Sequence, residues 1–236
     1  MKKFILLLLF IPLVSFGQTA EEYYQSGYDK DEAGDYKGAI ADYTKAIELN
    51  PNPNYADAYF SRGFAKYNLK DYNGAIADYT KVIELNPNYA DTYYNRGFAK
   101  YNLKDYNGAI ADHTKVIELN PNYTDAYFSR GNLKSNLKDY NGAIADFTEV
   151  IELNPNYTDA YYSRGLLRSL SLKDYNGAIA DYNKVIELNP NYADAYFSRG
   201  LSKSDLKDLT GACADWKKAA SLGYTNSAEW VANQCN

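Results

Sequence analysis

The chain has 236 residues, of which 16% are aromatic, 26 of them Tyr, and 23% are charged. This aromatic content indicates an ordered protein and excludes a disordered acidic segment, which is poor in aromatic residues. The formal net charge of −5 argues against nucleic acid as a partner, because binding to phosphates depends on a basic surface.

Residues 1–17 have the pattern of a secretory signal peptide. Lys2 and Lys3 precede a short apolar run, Phe4 to Val14, and Ser15 and Gly17 supply the small residues that a signal peptidase reads. The run is too short for a membrane anchor, since a spanning helix takes about 20 apolar residues. We therefore expect export to the periplasm or the cell surface, with no stable membrane insertion after cleavage.

An internal repeat organises the rest of the chain. The stretch Lys70–Pro87 returns almost unchanged as 104–121, 138–155 and 173–190, and weaker copies stand at 35–51 and 207–222. One glycine in each copy marks the period: Gly27, Gly63, Gly97, Gly131, Gly165 and Gly200. Their underlying spacing of 34 residues is typical of a solenoid built from small repeated units.

Each repeat is predicted to contain two helices. In the second half of a copy, apolar residues recur at the spacing of one helix face, as in Ala75, Ile76, Tyr79, Val82 and Ile83. Asp71 is the expected N-cap of that helix, and Asn88 is the expected cap of the first helix of the next copy. The marker glycines indicate close approach of the paired helices. Neither helix buries its apolar face alone, so neighbouring units must stack.

With this period the chain resembles the tetratricopeptide repeat family, whose pattern of aromatic, Gly, Ala and closing Pro is matched here by Tyr93, Gly97, Ala109 and Pro121. The resemblance implies an all-α, right-handed α-solenoid of six helix–turn–helix units with a C-terminal capping helix. The predicted units are residues 20–53, 56–89, 90–123, 124–157, 158–192 and 193–224, and the capping helix is 225–236.

Several copies depart from the family pattern. An arginine stands directly before the marker glycine in the second to sixth copies, and a basic residue stands three positions after that glycine. We expect the lysines at this second position to lie on a solvated face: Lys66, Lys100, Lys134 and Lys203. Asn52-Pro53 adds two residues after the first unit, and the region Ser169–Ser171 adds one inside the fifth. We interpret both additions as loop insertions, with a local change of superhelical angle as the alternative.

The last repeat differs through its cysteines. Cys213 occupies a column that holds Ile in the other copies, and Cys235 lies on the apolar face of the predicted capping helix, for which Asn226 is the expected cap. Two core-facing thiols suggest a disulfide between Cys213 and Cys235, which an oxidising compartment would preserve. Two buried free thiols are the alternative.

The sequence offers no catalytic cluster. The only histidine, His113, occupies the column of a core aromatic residue, and one His with two Cys is a poor zinc site. The recurring Asp and Glu are interpreted as solvated or capping residues, and no pair of them is set apart for acid–base chemistry. We predict a protein that is not an enzyme and has no cofactor, metal or catalytic residues.

The resemblance also implies a binding surface. In the family, the first helices of successive repeats line a concave groove that typically binds an extended peptide or a partner's helix. Carried over to this chain, the groove residues are Asp57, Phe60, Phe64, Tyr67, Asp91, Tyr94, Phe98, Tyr101, Asp125, Phe128, Asn132, Asp159, Tyr162, Asp194 and Phe197. The leading prediction is a scaffold that binds a protein or peptide partner. The alternatives are binding of glycan or cell-wall material on the aromatic ladder, and a passive spacer.

Overall fold

The computed structural model describes residues 18–50 and 55–235. The predicted signal peptide and the Asn52-Pro53 insertion lie outside this part of the chain. Where the chain is described, it forms helices and no strand, and none of these helices has the length and hydropathy needed to cross a membrane. Residues up to Leu85 belong to one compact unit and residues from Asn86 to a second.

The helices follow one another as helix–turn–helix pairs, as predicted. In the first unit they are α1 (Ala20–Glu32), α2 (Tyr36–Leu49), α3 (Ala56–Asn68) and α4 (Tyr72–Leu85). In the second unit they are α5 (Ala90–Asn102), α6 (Tyr106–Leu119), α7 (Thr124–Asn136), α8 (Tyr140–Leu153), α9 (Thr158–Leu166), α10 (Tyr175–Leu188), α11 (Ala193–Asp205), α12 (Leu209–Ser221) and α13 (Thr225–Gln234). Odd-numbered helices up to α11 are the first helices of repeats, and even-numbered helices are the second.

A single aspartate closes one helix and begins the next within each repeat. The backbone N–H of Asp105 donates to the Lys100 carbonyl at 2.9 Å, which ends α5, and its carboxylate accepts from the Gly108 N–H at 2.9 Å, which caps α6. A Cβ on Gly108 would overlap that carboxylate, so the glycine has a steric reason. The cap predicted at Asp71 is confirmed by the same bond from Gly74, at 3.0 Å.

The two asparagine caps are wrong. Helix α5 begins at Ala90 with Tyr89 in the cap position and no side-chain cap, and the Asn88 N–H instead donates to the Asn86 side chain at 3.3 Å. Helix α13 begins at Thr225 after Tyr224, so Asn226 lies within its first turn. In the second unit, a tight turn after each second helix leads directly into the following helix and leaves the cap position to a tyrosine.

The helices of a pair approach closely at the marker glycines, as predicted. A Cβ on Gly97 would lie 2.9 Å from His113 Cε1, and one on Gly131 would lie 2.8 Å from Phe147 Cε1. His113 itself is 1% exposed, in the column of core aromatics. The core of each repeat is therefore an aromatic ring of the second helix packed on the bare backbone of the first.

The extra residue of the fifth repeat does not form a loop, which corrects the prediction. It widens the end of the first helix into a π-helical turn over Leu167–Ser171, the usual way in which a helix absorbs one inserted residue. Ser169 is buried there, and its hydroxyl lies 3.0 Å from the hydroxyl of Ser202 on α11.

Helix α13 covers the end of the sixth repeat. Gly223, at φ +93°, follows the end of α12, after which Tyr224 stacks on Phe197 with ring centroids 4.6 Å apart. Trp230 lies 5.0 Å from Trp216, the core ring of α12. A disulfide joins Cys213 to Cys235 across this contact, so a covalent bond and an aromatic cluster both hold α13 on α12.

Candidate partner-binding face

The predicted groove residues lie on the first helices of the repeats. In the first unit they belong to α3: Asp57 and Phe64 are exposed, and Phe60 and Tyr67 are half-buried against Tyr79 and Tyr72. In the second unit they belong to α5, α7, α9 and α11, and we refer to them as the first-helix face: Asp91, Tyr94, Phe98, Tyr101, Asp125, Phe128, Asn132, Asp159, Tyr162, Asp194 and Phe197.

The aspartates of the first-helix face are exposed, but two of them bind the tyrosines that stand at the junction with the following repeat. The Tyr123 hydroxyl donates to Asp91 at 3.0 Å, and the Tyr157 hydroxyl donates to Asp125 at 3.4 Å. Partial burial, with the Asp125 charge adding to it, raises the pKa of Tyr157 to about 12. These carboxylates therefore help to tie successive repeats together.

Most aromatic rings of the first-helix face pack on other rings of the protein. Tyr94 and Phe128 each lie 5.1 Å from the tyrosine at the junction with the next repeat, Tyr123 and Tyr157 respectively. They also contact the core ring of their own repeat, as Phe128 does at 5.6 Å from Phe147. Such pairs stabilise by about 0.5–1.5 kcal/mol beyond their buried area. The rings of the aromatic ladder are thus largely packed against other rings of the protein.

One part of the first-helix face remains open. Tyr101 is 43% exposed near the end of α5, and Phe98 lies beside it, half-buried and edge-on to Tyr94 at 4.8 Å. Next to them is a hollow of about 220 Å³ between α5, α6 and α7, lined by Phe98, Tyr101, His113, Ser129, Asn132, Leu133 and Asn136. It brings together three predicted groove residues and the histidine, a combination that the sequence analysis did not predict.

His113 is neutral in this setting. Burial lowers its pKa to about 4, the nearby Asp112 charge opposes that change, and Arg130 adds to it. Its Nδ1 is buried without a hydrogen-bond partner among the described residues. A neutral imidazole carries one donor and one acceptor nitrogen, so His113 lines the hollow without adding a charge to it.

The basic residues expected on a solvated face are instead paired with buried aspartates. In the fourth repeat, Arg130 Nε donates to Asp146 Oδ2 at 3.0 Å and Arg130 Nη2 to Oδ1 at 2.6 Å, while Lys134 Nζ lies 2.8 Å from Oδ2. Asp146 is only 3% exposed. Arg130 also donates to Thr114 of the preceding repeat at 3.1 Å and lies over the Tyr127 ring. A carboxylate at this depth requires cationic partners, which is the physical reason for the error.

The same arrangement recurs in five repeats, and it also corrects the view that the repeated aspartates are only solvated or capping residues. The clusters are Arg62–Asp78–Lys66, Arg96–Asp112–Lys100, Arg130–Asp146–Lys134, Arg164–Asp181–Arg168 and Arg199–Asp215–Lys203. The signal in the sequence was the joint recurrence of these three residue types in each copy. No group of His, Cys, Asp and Glu in the ranges 18–50 and 55–235 is arranged to hold a metal ion.

Comparison with known proteins identifies the repeat. A profile described as TPR repeat matches residues 32–70, 66–104 and 168–205, and the tetratricopeptide repeat profile matches 90–123 and 124–157. Comparison with curated protein sequences finds no match.

Several solved structures are similar. A crystal structure of MamA is 30% identical, covers 71% of this chain and 91% of its own, and has a TM-score of 0.67. YrrB, described as a TPR protein with an unusual peptide-binding site, is 24% identical, covers 77% and 92%, and also has a TM-score of 0.67. The C-terminal part of a TPR repeat-containing protein of Cytophaga hutchinsonii is 20% identical, covers 89% and 87%, and has a TM-score of 0.80. Together with the profile matches and the stacked helix–turn–helix pairs, these likenesses show that the chain belongs to the tetratricopeptide repeat family.

Proposed function

We propose that this protein is a non-enzymatic scaffold that binds an extended peptide or a helix of a protein partner on the first-helix face. The observation that carries the proposal is the open site around Tyr101 and Phe98, beside a hollow of about 220 Å³. Elsewhere on this face the rings of Tyr94 and Phe128 pack on protein rings. Exposed aromatic surface next to a concavity is typical of interaction sites.

The known relatives support a binding role. Proteins of this family generally bind protein or peptide partners, and YrrB is described as having a peptide-binding site of its own. The alternatives have no observation in their favour. Glycan binding would use open aromatic faces, but rings such as Phe128 and Tyr162 pack between a core ring and a junction tyrosine. A passive spacer gives no role to the hollow beside Tyr101.

Export forms part of the proposal. Residues 1–17 would direct the chain out of the cytoplasm, and the disulfide between Cys213 and Cys235 suits an oxidising compartment. The partner would then be a protein of the periplasm or the cell surface.

The test is affinity capture from the envelope fraction of the producing cell with the mature chain, residues 18–236. The face variant is Phe98→Asn with Tyr101→Ser, because the fourth repeat already carries Asn132 and Ser135 at the same positions. The control variant, Lys115→Ala, breaks an exposed ion pair of α6. We expect a protein, identified by mass spectrometry and rebound in purified form, that the wild type and the control capture and the face variant does not.

Two results would count against the proposal. Equal capture by the face variant and the wild type would remove the first-helix face as the contact surface. Absence of any purified protein that rebinds the folded wild type would remove protein binding itself. Circular dichroism of all three proteins establishes that each is folded before capture.

A further inference from the structure

The hollow on the first-helix face lies where two neighbouring positions both differ from the other repeats. His113 stands where the other second helices carry a larger ring: Tyr43, Tyr79, Phe147, Tyr182 and Trp216. Asn132 stands where the other first helices carry a large apolar residue: Tyr28, Phe64, Phe98, Leu166 and Leu201. Both shorter side chains line the same hollow, so the space corresponds to the side-chain volume that these two positions lack.

The lining defines what can occupy this space. The apolar part of the wall comes from Phe98, Tyr101 and Leu133, and hydrogen-bonding groups come from His113, Asn132, Ser129 and Asn136. None of these side chains carries a charge when the imidazole is neutral. A charged side chain would therefore lose its hydration without gaining a counter-charge, and an aliphatic one would leave the imidazole and amide unpaired.

A phenol fits both parts of the wall. Its ring can contact Phe98 and Tyr101, and its hydroxyl both donates and accepts, as a neutral imidazole and an amide do. At the positions equivalent to His113 and Asn132, the other repeats carry larger side chains. A ring supplied by a partner would fill the space that these side chains fill in the other repeats.

We propose that this hollow receives one tyrosine side chain of the bound partner, with the ring against Phe98 and Tyr101 and the hydroxyl at His113 and Asn132. The proposal rests on the proposed function and deepens it. Because the repeats are nearly identical in sequence, a ligand has few other features that distinguish one position along the face from the next. The hollow thus sets the register of the partner on the repeats.

The single histidine makes the test direct. His113 is the only His in the chain, so its imidazole signals in a ¹H–¹⁵N NMR spectrum report on the hollow alone. We would titrate the mature chain with p-cresol as the phenol probe, and with toluene and propanamide as probes of the ring and of hydrogen bonding separately. We expect saturable shifts of the His113 signals with p-cresol, at least fivefold weaker binding of toluene, and no saturation with propanamide.

Two variants test the assignment of the hollow. Asn132→Leu places in the hollow the residue found at 166 and 201, keeps the histidine reporter, and is expected to abolish saturable binding of p-cresol, because the leucine fills the space of the ring. The double variant Tyr182→His with Leu201→Asn copies the two departures into the fifth and sixth repeats without the rings of Phe98 and Tyr101, whose positions hold Leu166 and Ser169, so its new imidazole is expected not to respond to p-cresol. Wild-type spectra of both variants elsewhere in the chain establish that they fold.

The outcomes separate this inference from the proposed function. Equal binding of toluene and p-cresol, or no shift of His113 with either, overturns the tyrosine pocket even if a partner is captured. A tyrosine-selective hollow without any captured partner would overturn the scaffold role and leave the pocket standing. For a captured partner, replacing each of its tyrosines with Phe must weaken binding at one position only, and uniform tolerance would overturn the register-setting role.

Discussion

Removing one member of a buried ion cluster should lower the free energy of unfolding strongly, and Asp146 is the best position at which to measure this effect. Asp146→Asn removes the negative charge with almost no change in volume. Arg130 and Lys134 would then remain with side-chain exposures of only 15% and 21%. Removing one partner of a buried ion pair costs about 3–5 kcal/mol, because the other charge is left without compensation.

The structure favours the lower end of that range. Lys134 is the more exposed cation, and its flexible stem allows the ammonium group to move towards water. Arg130 retains its bond to Thr114 and its position over the Tyr127 ring. We therefore expect a loss of about 3 kcal/mol in the free energy of unfolding for Asp146→Asn, measured by urea denaturation with circular dichroism.

An exposed ion pair in the same protein supplies the control. Lys115 and Glu118 lie 3.1 Å apart on α6 with side-chain exposures of 42% and 59%. Lys115→Ala should cost no more than about 0.5 kcal/mol, and that cost should disappear in high salt. If Asp146→Asn costs as little as Lys115→Ala, the reasoning from burial is refuted. Arg130→Met and Lys134→Met combined with Asp146→Leu should recover most of the loss, because apolar groups of similar size often replace all members of a buried ion cluster without penalty.

Three further predictions concern the backbone at two positions, the disulfide and the histidine. Lys104 has φ +63°, a backbone region in which a side chain is unfavourable, so Lys104→Gly should raise the free energy of unfolding by about 0.5–1 kcal/mol. The reverse change in the first repeat, Gly34→Lys at φ +78°, should lower the free energy of unfolding, and urea titration checks both. Changing Cys213 and Cys235 to Ser should cost about 3 kcal/mol for a sequence separation of 22 residues, and a reducing agent should then no longer affect the unfolding midpoint. The pKa of His113 is about 4 in the folded protein against 6.5 when unfolded, so its stabilising contribution is complete above pH 6.5 and decreases as the pH falls towards 4. At pH 4.5 the free energy of unfolding of the wild type should have fallen by about 2–3 kcal/mol more than that of His113→Phe, and an equal fall in both proteins would contradict the assignment.

The repeat pattern predicted the fold well because periodicity directly reports which helix faces are buried. The second helices, their aspartate caps and the close contact at the marker glycines all follow from residues within one copy. The caps of α5 and α13 were harder to predict, because Asn88 and Asn226 are good capping residues that lie one residue before and two residues after the cap position, which a tyrosine occupies in both helices. In the fifth repeat, a one-residue insertion has the same sequence signature whether it forms a loop or a π-helical turn.

The side-chain partners were predicted less well, because they join different helices. Asp146 is sixteen residues from Arg130, and nothing in the local pattern of α8 distinguishes a buried aspartate from a solvated one. The contact of Phe128 with Tyr157 likewise joins α7 to the residue that precedes α9. The sequence placed the first-helix face correctly on the first helices, but the partners that cover most of its rings appear only when neighbouring repeats are packed together.

The near identity of the copies decides where selectivity can arise. Features that recur in every repeat, such as the marker glycines and the aspartate caps, act on stability in the same way at each step, so they cannot distinguish one position on the face from another. A ligand is directed to one place only by a position where a copy differs. His113 and Asn132 are two such differences that lie together beside the exposed Tyr101, and a pair of local changes in one hollow can therefore give an otherwise uniform surface a single preferred register.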